Sequence, residues 1–98
     1  MPLQLYILAF NAVVGDTKTL TNFLDLRPEI KNWASVLPYS LLIVSDRSAK
    51  ALSDIFSNRF PGAHFLISLI KGNELSNGYL PKWAWDFINT PKSSGRWP

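Results

Sequence analysis

The chain has 98 residues, 47% of them hydrophobic, and a formal net charge of +3 at pH 7. That length suits one domain with a single core, and that composition excludes an intrinsically disordered chain. There is no cysteine, which excludes disulfides and thiolate metal sites.

Leu3 to Phe10 is apolar on both faces apart from Gln4, the pattern of an interior strand covered on both sides. Residues 11–15 read as a loop. Asp16 or Thr17 offers an N-cap, and Leu20, Phe23 and Leu24 follow at helical spacing until Pro28 stops the helix. Ile30 to Val36 alternates imperfectly and predicts a second strand, with Trp33 on a partly exposed face. Leu37-Pro38-Tyr39 makes a turn, and Ser40 to Val44 returns as a third strand. Ser45-Asp46 ends that strand and offers the next N-cap. Ala49, Leu52, Ile55 and Phe56 form the buried stripe of a second helix. Pro61-Gly62 turns the chain into a fourth apolar strand, Ala63 to Ile70, with His64 near its start.

Lys71 to Leu80 is polar and turn-rich. From Pro81 to Asn89 two periods compete. Trp83, Trp85 and Phe87 alternate as in a strand, while Ala84, Phe87 and Ile88 share a helical face. Pro81 at N1 favours the helix. Thr90 to Pro98 predicts a loose tail. The whole series reads β-α-β-β-α-β, which predicts an α+β ferredoxin-like sandwich. Its antiparallel four-stranded sheet takes the order 4-1-3-2, with both main helices on one face and a short C-terminal helix. The domain is expected over 1–89 and the flexible tail over 90–98.

The positive charge lies partly outside that domain. Two of the ten basic residues, Lys92 and Arg96, fall in the tail, which has no acid. Residues 1–89 then hold eight basic side chains against seven acidic, a net of +1. Total charge therefore does not mark a nucleic-acid binder; a basic patch would have to come from arrangement. Nothing after Met1 resembles a signal peptide, and the longest apolar runs fall well short of the ~20 residues of a membrane helix. A cytoplasmic protein without a membrane partner is expected.

Chemistry-bearing residues are sparse. His64 is the single histidine and reads as a strand-edge residue rather than a ligand or general base. Asp16 and Asp46 read as helix caps, and Asp25, Glu29, Asp54 and Asp86 as solvated surface. One magnesium arrangement is open to the sequence, built on Asp16 with the Asn11 side chain in the loop after the first strand. No P-loop or dinucleotide fingerprint occurs. The aromatic residues are the richer set, with four tryptophans. Trp83 and Trp85 fit base stacking, a self-association surface, or a terminal helix docked on the core, the last being the simplest. Tyr6, Leu8 and Phe10 share one face of the first strand; Tyr6, Phe10 and Trp33 are candidates for an interface or a stacking surface.

Leu5-Tyr6-Ile7 fits the first-strand motif of RNA recognition motifs. The third strand, Ser40-Leu41-Leu42-Ile43-Val44-Ser45, has neither the aromatic residues nor the glycine of that family's stacking platform, which excludes it. Another resemblance remains. Tyr6-Ile7-Leu8-Ala9-Phe10-Asn11, Asn32-Trp33-Ala34, Leu42-Ile43-Val44-Ser45, Ser48-Ala49-Lys50-Ala51-Leu52 and Phe65-Leu66-Ile67-Ser68-Leu69-Ile70 resemble SinR-like small proteins. Those are similar in turn to the small subunit of the CRISPR adaptation complex and to VapD-type toxins. The resemblance covers about residues 3–89. It implies a homodimer whose first strands end in aspartates at a cleft, placed for Mg2+-dependent phosphodiester cleavage. This chain has Asn11 at that position.

The expectation is a homodimeric interaction or nucleic-acid-binding module with a protein or nucleic-acid partner, and without cofactor or catalytic residues. The alternatives are a Mg2+-dependent endoribonuclease and a small-molecule-sensing dimer.

Overall fold

A computed structural model describes residues 2–11, 17–71 and 78–95. The elements run β1 (Gln4–Phe10), α1 (Thr17–Asp25), β2 (Ile30–Ala34), β3 (Ser40–Ser45), α2 (Ala49–Arg59), β4 (Phe65–Ile70) and α3 (Lys82–Asn89). The strands form one antiparallel sheet in the order β2-β3-β1-β4. β1 has a ladder on each side; Leu8 lies opposite Leu41 of β3 and Ile67 of β4.

Side-chain alternation divides the interior in two. Tyr6, Leu8 and Phe10 of β1 and Leu41 and Ile43 of β3 meet Leu20 and Leu24 of α1 and Leu52 and Phe56 of α2. Leu5, Ala34, Leu42 and Val44 belong to the other face, where Trp85, Phe87 and Ile88 of α3 pack on them. The sheet is thus the middle of three layers, with α3 as the third. Edge-to-face rings bind the larger cluster: Phe23 lies 5.9 Å from Phe56 and 5.5 Å from Phe60, and Phe56 lies 6.0 Å from Phe65. These contacts join α1, α2 and β4.

Several local readings change. α2 is capped by Ser48, whose Oγ accepts the Ala51 N–H at 3.1 Å, and not by Ser45 or Asp46. Ser45 is committed elsewhere: its buried hydroxyl donates to the Glu29 carbonyl at 2.6 Å and accepts the Arg47 N–H at 3.0 Å. Pro81 stands at the N-cap of α3 rather than at N1, and its carbonyl accepts the Ala84 N–H at 3.0 Å. β2 stops at Ala34, two residues short of Val36, because the Pro38 turn follows. Tyr39 takes φ +56 there, a left-handed conformation that suits glycine better. Its carbonyl accepts the Phe10 N–H at 3.0 Å and its ring packs edge-on against Phe10 at 6.2 Å, which holds it in place.

The described part of the C-terminal segment makes hydrogen bonds to β2. The Ser94 N–H donates to the Lys31 carbonyl at 2.7 Å, and the Asn32 side chain donates to the Lys92 carbonyl at 3.1 Å. Residues 92–94 therefore line the β2 edge. The N-cap expected at Asp16 lies outside the described residues.

Leu52 and Phe56 are fully buried on α2. Leu52→Ala and Phe56→Ala are each expected to lower the unfolding free energy by about 2–5 kcal/mol in chemical denaturation. A loss below about 0.5 kcal/mol would contradict this packing.

Tyr6 carries a pH dependence. Its hydroxyl donates to the Arg47 carbonyl at 2.7 Å, with the Gln4 amide 2.9 Å away. Burial raises the phenol pKa above its ordinary 10.0, because the phenolate would lose its hydration. The unfolded chain releases this proton first. The stability that Tyr6 contributes is therefore complete below pH 10 and is lost as pH rises through the folded pKa. Tyr6→Phe is expected to cost about 1 kcal/mol at neutral pH, from the orphaned carbonyl, and to flatten the alkaline decline. An unchanged alkaline slope in denaturant titrations of the variant would contradict the assignment.

Candidate functional site

The end of β1 is clamped from two sides. Phe10 bonds to the β2–β3 turn through Tyr39, while the Asn11 N–H donates to the His64 carbonyl at 3.2 Å, just before β4. Asn11 is half-buried; Tyr39 and His64 are exposed. The structure thus brings an amide, a phenol and an imidazole to one rim of the sheet. Such a rim can exchange hydrogen bonds with a ligand. It has no carboxylate among the described residues, and Asp16, the other half of the expected cleft, lies outside them.

The described carboxylates are engaged elsewhere. Asp25 accepts the Trp33 Nε1–H at 2.8 Å. Glu29 takes a two-pronged ion pair from Arg27, at 3.1 and 2.9 Å. That pair and the Trp33 bond correct the reading of Asp25 and Glu29 as solvated surface. Asp54 and Asp86 form i,i+4 pairs with Lys50 and Lys82 at 3.2 and 3.3 Å. Asp46 Oδ1 is buried without a hydrogen bond and has the Arg47 Nε 3.3 Å away. Among the described residues, no three His, Asp or Glu side chains gather to hold a metal ion. Asn11 alone offers Mg2+ a neutral oxygen, and Mg2+ binds such an oxygen weakly without carboxylate help.

The aromatic candidates separate. Tyr6 and Phe10 are only 3% and 8% exposed, under α1 and α2, which corrects their reading as interface or stacking residues. They do share a face of β1, but it is the face that the helices cover. Trp33 lies opposite Ile43 and packs half-buried on the same cluster, with its indole N–H committed to Asp25. Trp85 packs against the second cluster. Trp83 remains 52% exposed near the start of α3. Of the five aromatic candidates it offers the most surface.

Two features were not anticipated from the sequence. The first is the apolar exposure along β4, an edge strand as the expected order 4-1-3-2 has it, where Leu66 and Leu69 are 64% and 43% exposed. The element series put this strand at an edge, but its nearly all-apolar pattern, broken only by Ser68, gave no sign of which leucines would stay exposed. The second is a stacked cationic groove between α1 and α2. The Arg59 guanidinium lies 4.8 Å from the Phe60 ring and 5.8 Å from the Phe23 ring, and Arg27 lies 6.0 Å from Phe23. With Ile55 and Asn58 these residues line a groove of about 270 Å³. Arg27 lies just beyond α1 and Arg59 ends α2, positions that suit the negative ends of helix dipoles. No helix among the described residues is long and apolar enough to cross a membrane.

Comparison of the chain with family models, with curated proteins and with solved structures finds no match.

Proposed function

We propose that this chain is a self-associating binding module on a ferredoxin-like plait, without hydrolytic activity of its own. The order β-α-β-β-α-β followed by α3, with the sheet order β2-β3-β1-β4, supports the plait. The observation that carries the function is apolar surface left uncovered on the β4 edge, at Leu66 and Leu69. Exposed leucines on an unpaired strand edge favour association, because pairing removes them from water and satisfies backbone groups together. Trp83 adds a large amphipathic side chain of the kind enriched at interfaces.

The resemblance to SinR-like proteins supports a homodimer as well, but its nuclease side lacks support at Asn11. A carboxylate is needed there to hold Mg2+ beside a phosphate. The nearly neutral domain also gives little of the phosphate affinity that a basic surface would supply.

Light scattering at tens of micromolar is expected to give the mass of a dimer, 22.2 kDa against 11.1 kDa for one chain. A monomer mass throughout would remove this reading. RNA and DNA incubated with the protein and Mg2+ are expected to survive intact, with or without chelator. Chelator-sensitive cleavage would instead promote the endoribonuclease, and its loss in Asp16→Ala would locate the metal.

A further inference from the structure

We propose that β4 pairs antiparallel with β4 of a second copy, across a two-fold axis normal to the sheet. Two four-stranded sheets then become one of eight. This inference rests on the self-association reading above and names its surface and register.

The two edges of the sheet are treated differently. The β2 edge carries Lys31, a register irregularity between Ile30 and Asn32, and the hydrogen bonds from residues 92 and 94. Charge, irregularity and cover are the devices by which proteins keep an edge from pairing. Among the described residues, β4 has none of these within its own length. Phe65-Leu66-Ile67-Ser68-Leu69-Ile70 contains no charge and no proline, and its ladder with β1 runs without a break from Phe65 opposite Phe10 to Ile70 opposite Leu5. The backbone groups on its outer side meet no other strand of the sheet.

The β4 sequence is complementary to itself. Antiparallel pairing sets residues that share a sheet face opposite each other. Ile67 and Leu69 lie on the α1/α2 face, opposite Leu8 and Tyr6 of β1; Leu66, Ser68 and Ile70 lie on the α3 face. A two-fold through Ser68 sets it against the partner's Ser68, Ile67 against the partner's Leu69, and Leu66 against the partner's Ile70. Apolar meets apolar at each of these positions and hydroxyl meets hydroxyl at the centre. Shifting the axis to Ile67 sets Leu66 against the partner's Ser68 and His64 against the partner's Ile70, which loses the Leu66–Ile70 pairing on the α3 face. Leu66 therefore selects the Ser68 register, whereas Leu69 meets an apolar partner in either, Ile67 in the first and Phe65 in the second. A contact of this length sits at the small end of interface sizes, below about 1,200 Å² in total, so the dimer should exchange with monomer at micromolar concentration.

The chain has no cysteine, which permits a direct test by cross-linking. Ser68→Cys is expected to form a disulfide-linked dimer under mild oxidation, because the two thiols face each other across the axis. Leu66→Cys is expected to stay largely monomeric on the same gel. Leu66→Lys with Leu69→Lys is expected to shift the dimer toward monomer at least tenfold in concentration by sedimentation, with an unchanged circular dichroism spectrum. If the wild type is a monomer and Ser68→Cys does not cross-link, the self-association reading and this inference fall together. If the wild type is a dimer but the double lysine variant keeps its mass, or Leu66→Cys cross-links as well as Ser68→Cys, the β4 pairing is wrong and self-association survives elsewhere on the surface.

Discussion

β1 is hydrogen-bonded along both edges and covered on both faces, and the other elements are arranged by that demand. Leu5, Tyr6, Leu8 and Phe10 are all buried, from both sides of one strand. A strand of that kind needs a layer above and a layer below. α1 and α2 supply the first, and α3 supplies the second with Ile88, Trp85 and Phe87. α3 is short, and it reaches the part of the sheet around Leu5, Ala34, Leu42, Val44 and Ile70. Ile7, Ala9 and Leu66 on the same face keep more contact with solvent. The layer is therefore unequal, full toward the start of β1 and thin toward its end.

How far the sequence disclosed this depends on what a periodic pattern can carry. The α+β class was legible, because strand-sized apolar runs and helical stripes with Gly-Pro punctuation are local signals. The interior position of β1 was legible because both of its parities are apolar. Which parity the helices cover was not, since period 2 separates two faces without saying which is under α1 and α2. Tyr6 and Phe10 were misread for that reason. β4 defeats the same logic from the other direction, because Phe65 to Ile70 has an interior pattern at an edge position. Caps show a different kind of ambiguity. Ser45, Asp46 and Ser48 all suit an N-cap within four residues, and only packing decided that Ser45 would be buried as a bridge instead.

The candidate site was half legible. Asn11 at the end of β1 follows from strand length alone. Its neighbours at that rim, Tyr39 bonded to Phe10 and His64 bonded to Asn11 itself, come from distant segments, and no spacing rule places them there. The carboxylates were the least legible part. Asp25 and Glu29 looked like ordinary surface charges, yet one holds the Trp33 indole and the other locks Arg27 beside the chain entering β2. Both have partners within the fold.

The placement of β1 also has a consequence for biosynthesis. β1 leaves the ribosome before the other strands but can form neither ladder until much later, since β3 ends at Ser45 and β4 at Ile70. At about 5–20 residues per second, the sixty residues from Phe10 to Ile70 take about 3–12 s to make. Throughout that interval this apolar strand is without its second neighbour. In the nascent chain β1 is therefore the segment most open to wrong pairing, because the strand that finishes it is the last of the four to be made.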